Sequence, residues 1–162
     1  MIWRSEGYSD AALALADEHY NRQKPGTGQF APPGRRLVLV AGDPVAAVWC
    51  SSHQRFPDHA WPGAWVCTMF RNVGAGLSSE LIRDAIAVTR EEWGDPPDQG
   101  MITFVDPRKV RNKRDPGRCF RRAGFVPIAC TLRRRLLTLR LEAADFPEAA
   151  PAFSRQIGLW SA

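Results

Sequence analysis

The sequence predicts an α+β fold built on a mixed α/β sheet, and three observations carry the prediction. Apolar segments of strand length recur along the chain, two of them separated only by the turn Gly42-Asp43-Pro44. One long amphipathic helix, Leu77 to Trp93, stands between two such segments. At 162 residues the chain is long enough to bury one core and short for two ordinary domains.

The elements follow in order. Ser9 to Tyr20 reads as a helix with Ser9 as its N-cap. A loop rich in Pro and Gly follows, from residue 21 to Arg36. Arg36–Gly42 and Pro44–Ser52 form a hairpin, residues 53–63 a second loop, and Ala64–Phe70 a strand. In the long helix Leu77, Leu81, Ala85 and Val88 make one apolar stripe, widened by Ile82 and Ile86, and Gly94-Asp95-Pro96-Pro97 ends it. Met101–Asp106 is a short apolar strand. Asp115–Gly124 reads as a short helix with Asp115 as cap, Pro116 in its first turn and Gly124 at its end. Phe125–Cys130 and Leu136–Glu142 close the sheet; Leu137, Leu139 and Leu141 alternate with Thr138, Arg140 and Glu142. Residues 1–142 are expected to form a single domain and 143–162 a C-terminal tail without assigned structure.

Composition narrows the function classes. No apolar run reaches the roughly 18 to 20 residues of a membrane span, and the N-terminus lacks the apolar core of a signal peptide. A cytoplasmic protein without a membrane partner is expected. The four cysteines contain no C-x-x-C pair, so reduced, mostly buried thiols are expected and no metal site. The net charge of +5 is unevenly spread: Arg108, Lys109, Arg111, Lys113, Arg114, Arg118, Arg121 and Arg122 crowd one segment in which Asp115 is the only acid, and Arg133-Arg134-Arg135 follow. This is either a solvated face or a surface for the phosphates of a cofactor or of nucleic acid.

The segment Arg71-Asn72-Val73-Gly74-Ala75-Gly76 lies between a strand and the long helix. A helix N-terminus offers unpaired N–H groups and the positive end of its dipole, and glycines let a phosphate approach the backbone. The same glycines also serve an ordinary turn. Neither the dinucleotide fingerprint nor the P-loop fits, because Ser79 stands at the third Gly position and no Gly-Lys-Ser/Thr follows. The segment does match Arg/Gln-x-x-Gly-x-Gly/Ala, and in this it resembles the signature of the GNAT acyltransferase superfamily. Cys119-Phe120-Arg121-Arg122-Ala123-Gly124-Phe125 is similar to the superfamily's late Leu-Tyr-x-Lys-x-Gly-Phe segment. The resemblance spans about Arg35 to Glu142 and includes the order of elements.

Several expectations come with the resemblance. The fold is a central, mostly antiparallel sheet flanked by helices, and the chain is an acyltransferase. Acetyl-CoA or another acyl-CoA lies with its pyrophosphate on the amides of Arg71, Asn72, Val73, Gly74, Ala75 and Gly76. Val66, Cys67, Thr68 and Met69 pair with the pantetheine arm through backbone N–H groups if the strands part as they do in that superfamily. One departure stands out: the late Tyr, which in many of these enzymes protonates the leaving thiolate, is here Phe120.

Four side chains are candidates for acid/base work. His19 and Tyr20 end the first helix, and His59 precedes the signature strand. Asp106 ends Met101–Asp106, where it serves either the site or as a cap for the next segment. Glu18 to Gly26 is similar to the His-Tyr and Pro/Gly loop of phage Mom-like, DNA-modifying GNAT-fold proteins. With that likeness the basic residues, Arg108, Lys109, Arg111, Lys113, Arg114 and Arg118 above all, become candidates for DNA binding. Phe30, Phe56, Trp61 and Trp65 either pack in the core or stack an extruded base. Three readings remain open: a bacteriophage-type enzyme that modifies a base in DNA, an N-acetyltransferase for a small-molecule or protein amine, and a non-catalytic nucleic-acid-binding protein. The sequence is silent on oligomeric state.

Overall fold

The computed structural model describes residues 2–20, 22, 24–110 and 115–153. Along the chain run β1 (Arg4–Ser5), α1 (Asp10–Asp17), β2 (Gly34–Ala41), β3 (Ala47–Gln54), β4 (Trp65–Asn72), α2 (Ser78–Trp93), β5 (Met101–Val105), α3 (Arg118–Arg122), β6 (Val126–Cys130) and β7 (Leu137–Leu141), with a 3-10 turn at Ala143–Asp145. The strands form one sheet in the order β1-β2-β3-β4-β5-β7-β6. Every neighbouring pair is antiparallel except β4–β5.

Period-2 alternation divides the sheet's side chains between two faces. Leu37, Leu39, Ala41, Ala47 and Trp49 share one core with Leu81, Ile82, Ala85 and Ile86 of α2 and with Phe120 and Phe125. Val38, Val40, Val48 and Cys50 lie on the other face against Ala12, Leu15 and Ala16 of α1. β4 changes sides midway. Cys67 belongs to the α2 face and Met69 to the α1 face. The cause is one extra residue: Cys50 pairs with Met69 and Ser51 with Cys67, so Thr68 is a β-bulge.

Ser9 caps α1 through its hydroxyl, as expected, with Ala12 N–H as donor. α2 buries the expected stripe except at its start. Leu77 is the N-cap and exposed rather than the first member of the stripe. α3 is shorter than expected. It begins after Gly117, which takes a left-handed φ of 76°, so Asp115 is not its cap. Instead the Asp115 carbonyl accepts from Arg118 N–H, and its carboxylate pairs with Arg121. Gly124 does end the helix, with Phe125 N–H returning to Phe120 O. β1 has no sequence signal; two residues carry no period.

The segment after Glu142 docks on the domain. Phe146 packs edge-on against Trp65 in the α2-face core. Ala150 N–H bonds Ala87 O, Phe153 N–H bonds Trp3 O, and Arg90 holds Pro147 O. Among the described residues no helix is long and apolar enough to cross a membrane.

Candidate cofactor and active-site cleft

The parallel pair β4–β5 makes the site. It is joined only from Trp65↔Met101 to Cys67↔Thr103, although β4 runs on to Asn72 and β5 to Val105. Beyond Cys67 the strands part. A cleft of about 1150 Å³ opens between them, lined by both strands, the start of α2, α3, the 108–110 turn and the His19-Tyr20 pair.

At its cofactor end the signature turn is organised by one side chain. Asn72 Oδ1 accepts from Gly74 N–H at 3.1 Å and Ala75 N–H at 2.9 Å. Its Nδ2 donates to Gly76 O at 2.8 Å and to Ser78 Oγ at 2.9 Å. Val73 N–H is spent on Ala46 O. The amides of Val73, Gly74 and Ala75, expected to bind pyrophosphate, are therefore already paired. The helix start just beyond them carries no side-chain cap at Leu77. It leaves its first N–H groups to a ligand, and Gly76, Leu77, Ser78 and Ser79 line the cleft. A Cβ at Gly74 would meet no atom within 4 Å, and one at Gly76 only Leu81 Cγ at 4.0 Å. The space is open, yet φ values of 128° and 152° favour glycine at both positions. The sequence reading missed Leu77, Ser78 and Ser79; the Ser78-Ser79 pair in the first helical turn was the available signal.

Arg71 does not face a ligand with its whole fork. Nη2 pairs with Glu18 Oε2 at 2.8 Å and Nη1 donates to Glu18 O at 3.2 Å, tying the turn to the end of α1. Two basic residues of α3, Arg118 and Arg122, line the cleft one turn apart. Arg121, expected beside them, turns away to Asp115 and to Pro116 O. Arg111, Lys113 and Arg114 lie outside the described residues.

Along β4, Val66 and Cys67 are still within the paired ladder, and Val66 is buried on the far face with Ala64 and Ile102. Cys67, the last paired residue, lines the cleft together with Thr68 and Met69, where the strand edge is first clear of β5.

The four acid/base candidates separate. His19 and Tyr20 line the cleft, their rings stacked at 4.4 Å. Burial pushes the Tyr20 phenol up, while a hydrogen bond from the Asp106 backbone amide pulls it the other way. Asp106 itself is buried, and its carboxylate is engaged: Oδ1 accepts from Arg108 N–H at 3.0 Å and Nε at 3.1 Å, and Oδ2 from Nη2 at 3.2 Å. The Arg108 side chain holds this carboxyl below its usual range, which makes it a poor base. Of its two sequence roles, the geometry matches the cap. His59 does not line the cleft. Its ring lies 6.2 Å from that of Phe104, a residue of the cleft wall, and 6.4 Å from that of Trp61. Its Nδ1 accepts from Trp61 N–H at 3.1 Å, so the neutral ring carries its proton on Nε2 and has no free lone pair for a base. Burial lowers its pKa and favours that neutral form. Trp65 is a core residue, against Trp93 at 5.2 Å, and Phe30 packs on Tyr8.

Comparison with solved structures settles the architecture. Aminoglycoside acetyltransferase AAC(6')-Ib in complex with coenzyme A and kanamycin superposes with a TM-score of 0.61 at 17% identity, over 90% of this chain and 96% of that one. A putative acetyltransferase of the GNAT family from Desulfovibrio desulfuricans gives 0.55 at 17% identity, over 88% and 98%. The chain has the GNAT fold. The GNAT domain of S. lividans PAT matches it at a TM-score of 0.58 and 16% identity, over 86% and 89%. No family model and no curated protein matches the sequence. The GNAT fold confirms the expected mostly antiparallel sheet, while the DNA-modifying likeness finds no counterpart among these structures.

Proposed function

We propose that this GNAT-fold chain is an acyl-CoA-dependent N-acyltransferase. The observation that carries the reading is the parting of β4 from β5 directly beside an uncapped helix N-terminus, in one cleft. The amides at the start of α2 would hold the pyrophosphate, with Arg118 and Arg122 reaching the remaining phosphates. Thr68 and Met69 present the strand edge along which an amide-bearing arm would pair. When bound, acyl-CoA supplies an activated thioester. The chain's own part is to orient the acceptor amine, exclude water and place N–H donors where charge develops on the carbonyl oxygen. The fit of CoA-bound relatives of the same fold supports the cofactor assignment.

Charge argues about the acceptor. Arg71, Arg108, Lys109, Arg118 and Arg122 line the cleft with Asp115; Arg71 pairs with Glu18, Arg108 with Asp106 and Asp115 with Arg121, which leaves the lining with a basic excess at Lys109, Arg118 and Arg122. Such a lining disfavours a polycationic acceptor and favours one with anionic groups near its amine. Arg108 Nη2 also donates to Arg134 O at 2.9 Å, which brings the two basic runs of the sequence together beside a residue of the cleft wall. That junction supports nucleic acid as the acceptor, ahead of a small or protein amine.

The test has two arms. Acetyl-CoA should raise the thermal midpoint of the wild type, and failure to do so refutes the cofactor reading. Thiol release from acetyl-CoA should then be measured with DNA, amino acids, nucleotides and polyamines, with mass spectrometry of nucleosides from the treated DNA. DNA binding should fall with salt at roughly −0.9 per phosphate neutralised and weaken when Arg111, Lys113 and Arg114 become Ala. A wild type without salt-dependent DNA binding returns the small-molecule or protein amine to first place.

A further inference from the structure

Breaking a thioester leaves a basic thiolate, and the cleft holds few groups able to protonate it. The place of that sulfur follows from length. From Asn72 back to Thr68 is four residues of β4, ~13 Å at strand spacing. A pantetheine arm has the length of roughly four extended residues, ~14 Å. With the phosphates at the start of α2, the sulfur arrives where β4 and β5 part.

Most polar side chains there are spoken for. Thr103 Oγ1 donates to Cys67 O at 3.2 Å, and Thr68 Oγ1 to Cys50 O at 3.4 Å. Cys67 donates to Met69 O, and burial pushes its thiol well above the ordinary range. Phe120 is a hydrocarbon packed edge-on against Phe70 at 6.0 Å and Phe125 at 5.3 Å. Tyr20 lines the same cleft as Cys67, Thr103, Cys119 and Phe120, and its hydroxyl takes a hydrogen bond from the Asp106 backbone. Its ring is fixed by the His19 stack, and its carbonyl accepts from Lys109 Nζ at 3.4 Å.

We propose that the Tyr20 hydroxyl protonates the departing sulfur and afterwards hydrogen-bonds the sulfur of CoA. The role falls to the segment after α1 because α3 offers Phe120. It rests on the acyltransferase reading above. In the step the amine nitrogen forms the C–N bond and the C–S bond breaks with its electron pair on sulfur. The phenol's proton moves to sulfur, and the proton shed by nitrogen returns to the phenolate through solvent. Burial keeps the phenol protonated before the step, and the Asp106 amide stabilises the phenolate during it.

Tyr20→Phe keeps the ring and its stack, so the fold is retained and its thermal midpoint checks that. Calorimetry with CoA and with desulfo-CoA at pH 9 reads the contact without turnover. The wild type should prefer CoA about tenfold, as expected for a hydrogen bond to a charged sulfur. The variant should lose that preference while binding desulfo-CoA as before. Thiol release from acetyl-CoA, with the best acceptor or with water, should fall about 100-fold in kcat at unchanged KM and lose its alkaline limb. A variant that keeps the CoA preference and the wild-type kcat overturns the role of Tyr20 and leaves the acyltransferase reading standing. A wild type that binds neither CoA nor desulfo-CoA overturns both.

Discussion

Replacing Asn72 by Ala tests whether one side chain builds the cofactor turn. Four hydrogen bonds are lost, two partly buried, to Ala75 N–H and Ser78 Oγ, and two exposed, to Gly74 N–H and Gly76 O. At about 1 kcal/mol for each partly buried bond and a few tenths for each exposed one, the cost is ~2 to 3 kcal/mol. For a domain of this size that lowers Tm by roughly 4 to 12 °C. The larger effect should be on binding. Without Asn72 the Gly74-Ala75 backbone must be ordered by the ligand, at ~1 to 2 kcal/mol per residue. Affinity for CoA should therefore fall by roughly 30- to 1000-fold in calorimetry. Asn72→Asp keeps the acceptor for Gly74 and Ala75 but loses both donors and adds a negative charge, so CoA binding should suffer more than Tm. An Asn72→Ala protein with a lowered Tm and wild-type CoA affinity would show that the turn does not shape the anion site.

Further outcomes follow from other parts of the structure. Gly76→Asp adds bulk and charge at the helix start and should abolish the thermal shift by acetyl-CoA. Trp49 Nε1 donates to Ser51 Oγ and Ser51 shares a 2.7 Å bond with Thr89, which donates to Ala85 O; Ser51→Ala strands the indole N–H and should cost ~1 to 3 kcal/mol in urea unfolding. Phe146→Ala opens the core beside Trp65 and should cost ~3 to 5 kcal/mol in the same assay. Asp106 has its carboxyl lowered by Arg108, so its stabilising effect is present above the unfolded carboxyl pKa and lost as pH falls through the lower folded value. Asp106→Asn should flatten the decline of Tm below about pH 4; an unchanged acid limb contradicts the pairing.

The regular parts of the fold were legible because they repeat. The α2 stripe, the hairpin and the Leu137-Leu139-Leu141 alternation each carry a period that burial imposes. The signature was legible because glycines before a helix have few uses. Features made by single residues acting at a distance were not. Thr68 interrupts a strand without altering its composition, yet it turns β4 from one face to the other. Asn72 looked like a ligand contact, since its four partners are adjacent only once the turn is folded. His59 was placed beside the cleft by sequence proximity to β4, but it lies at the strand's paired end, where the two strands have not yet separated. Phe146 gave no period, because one aromatic can anchor a segment that has no regular structure.

The bridge from Arg71 to Glu18 joins the cofactor turn to the chain two residues before Tyr20. Lys109 holds the same short stretch through the Tyr20 carbonyl. The cofactor turn and the 108–110 turn, both of which line the cleft, thus share one piece of backbone. Whatever steadies that stretch from one end spares the other end part of the entropy of ordering it, so the two substrates should bind with positive cooperativity in equal measure. Weakening the tether with Glu18→Ala, which removes the carboxylate and leaves only the bond to the residue 18 carbonyl, would leave each ligand its own contacts while lowering the help it gives its partner.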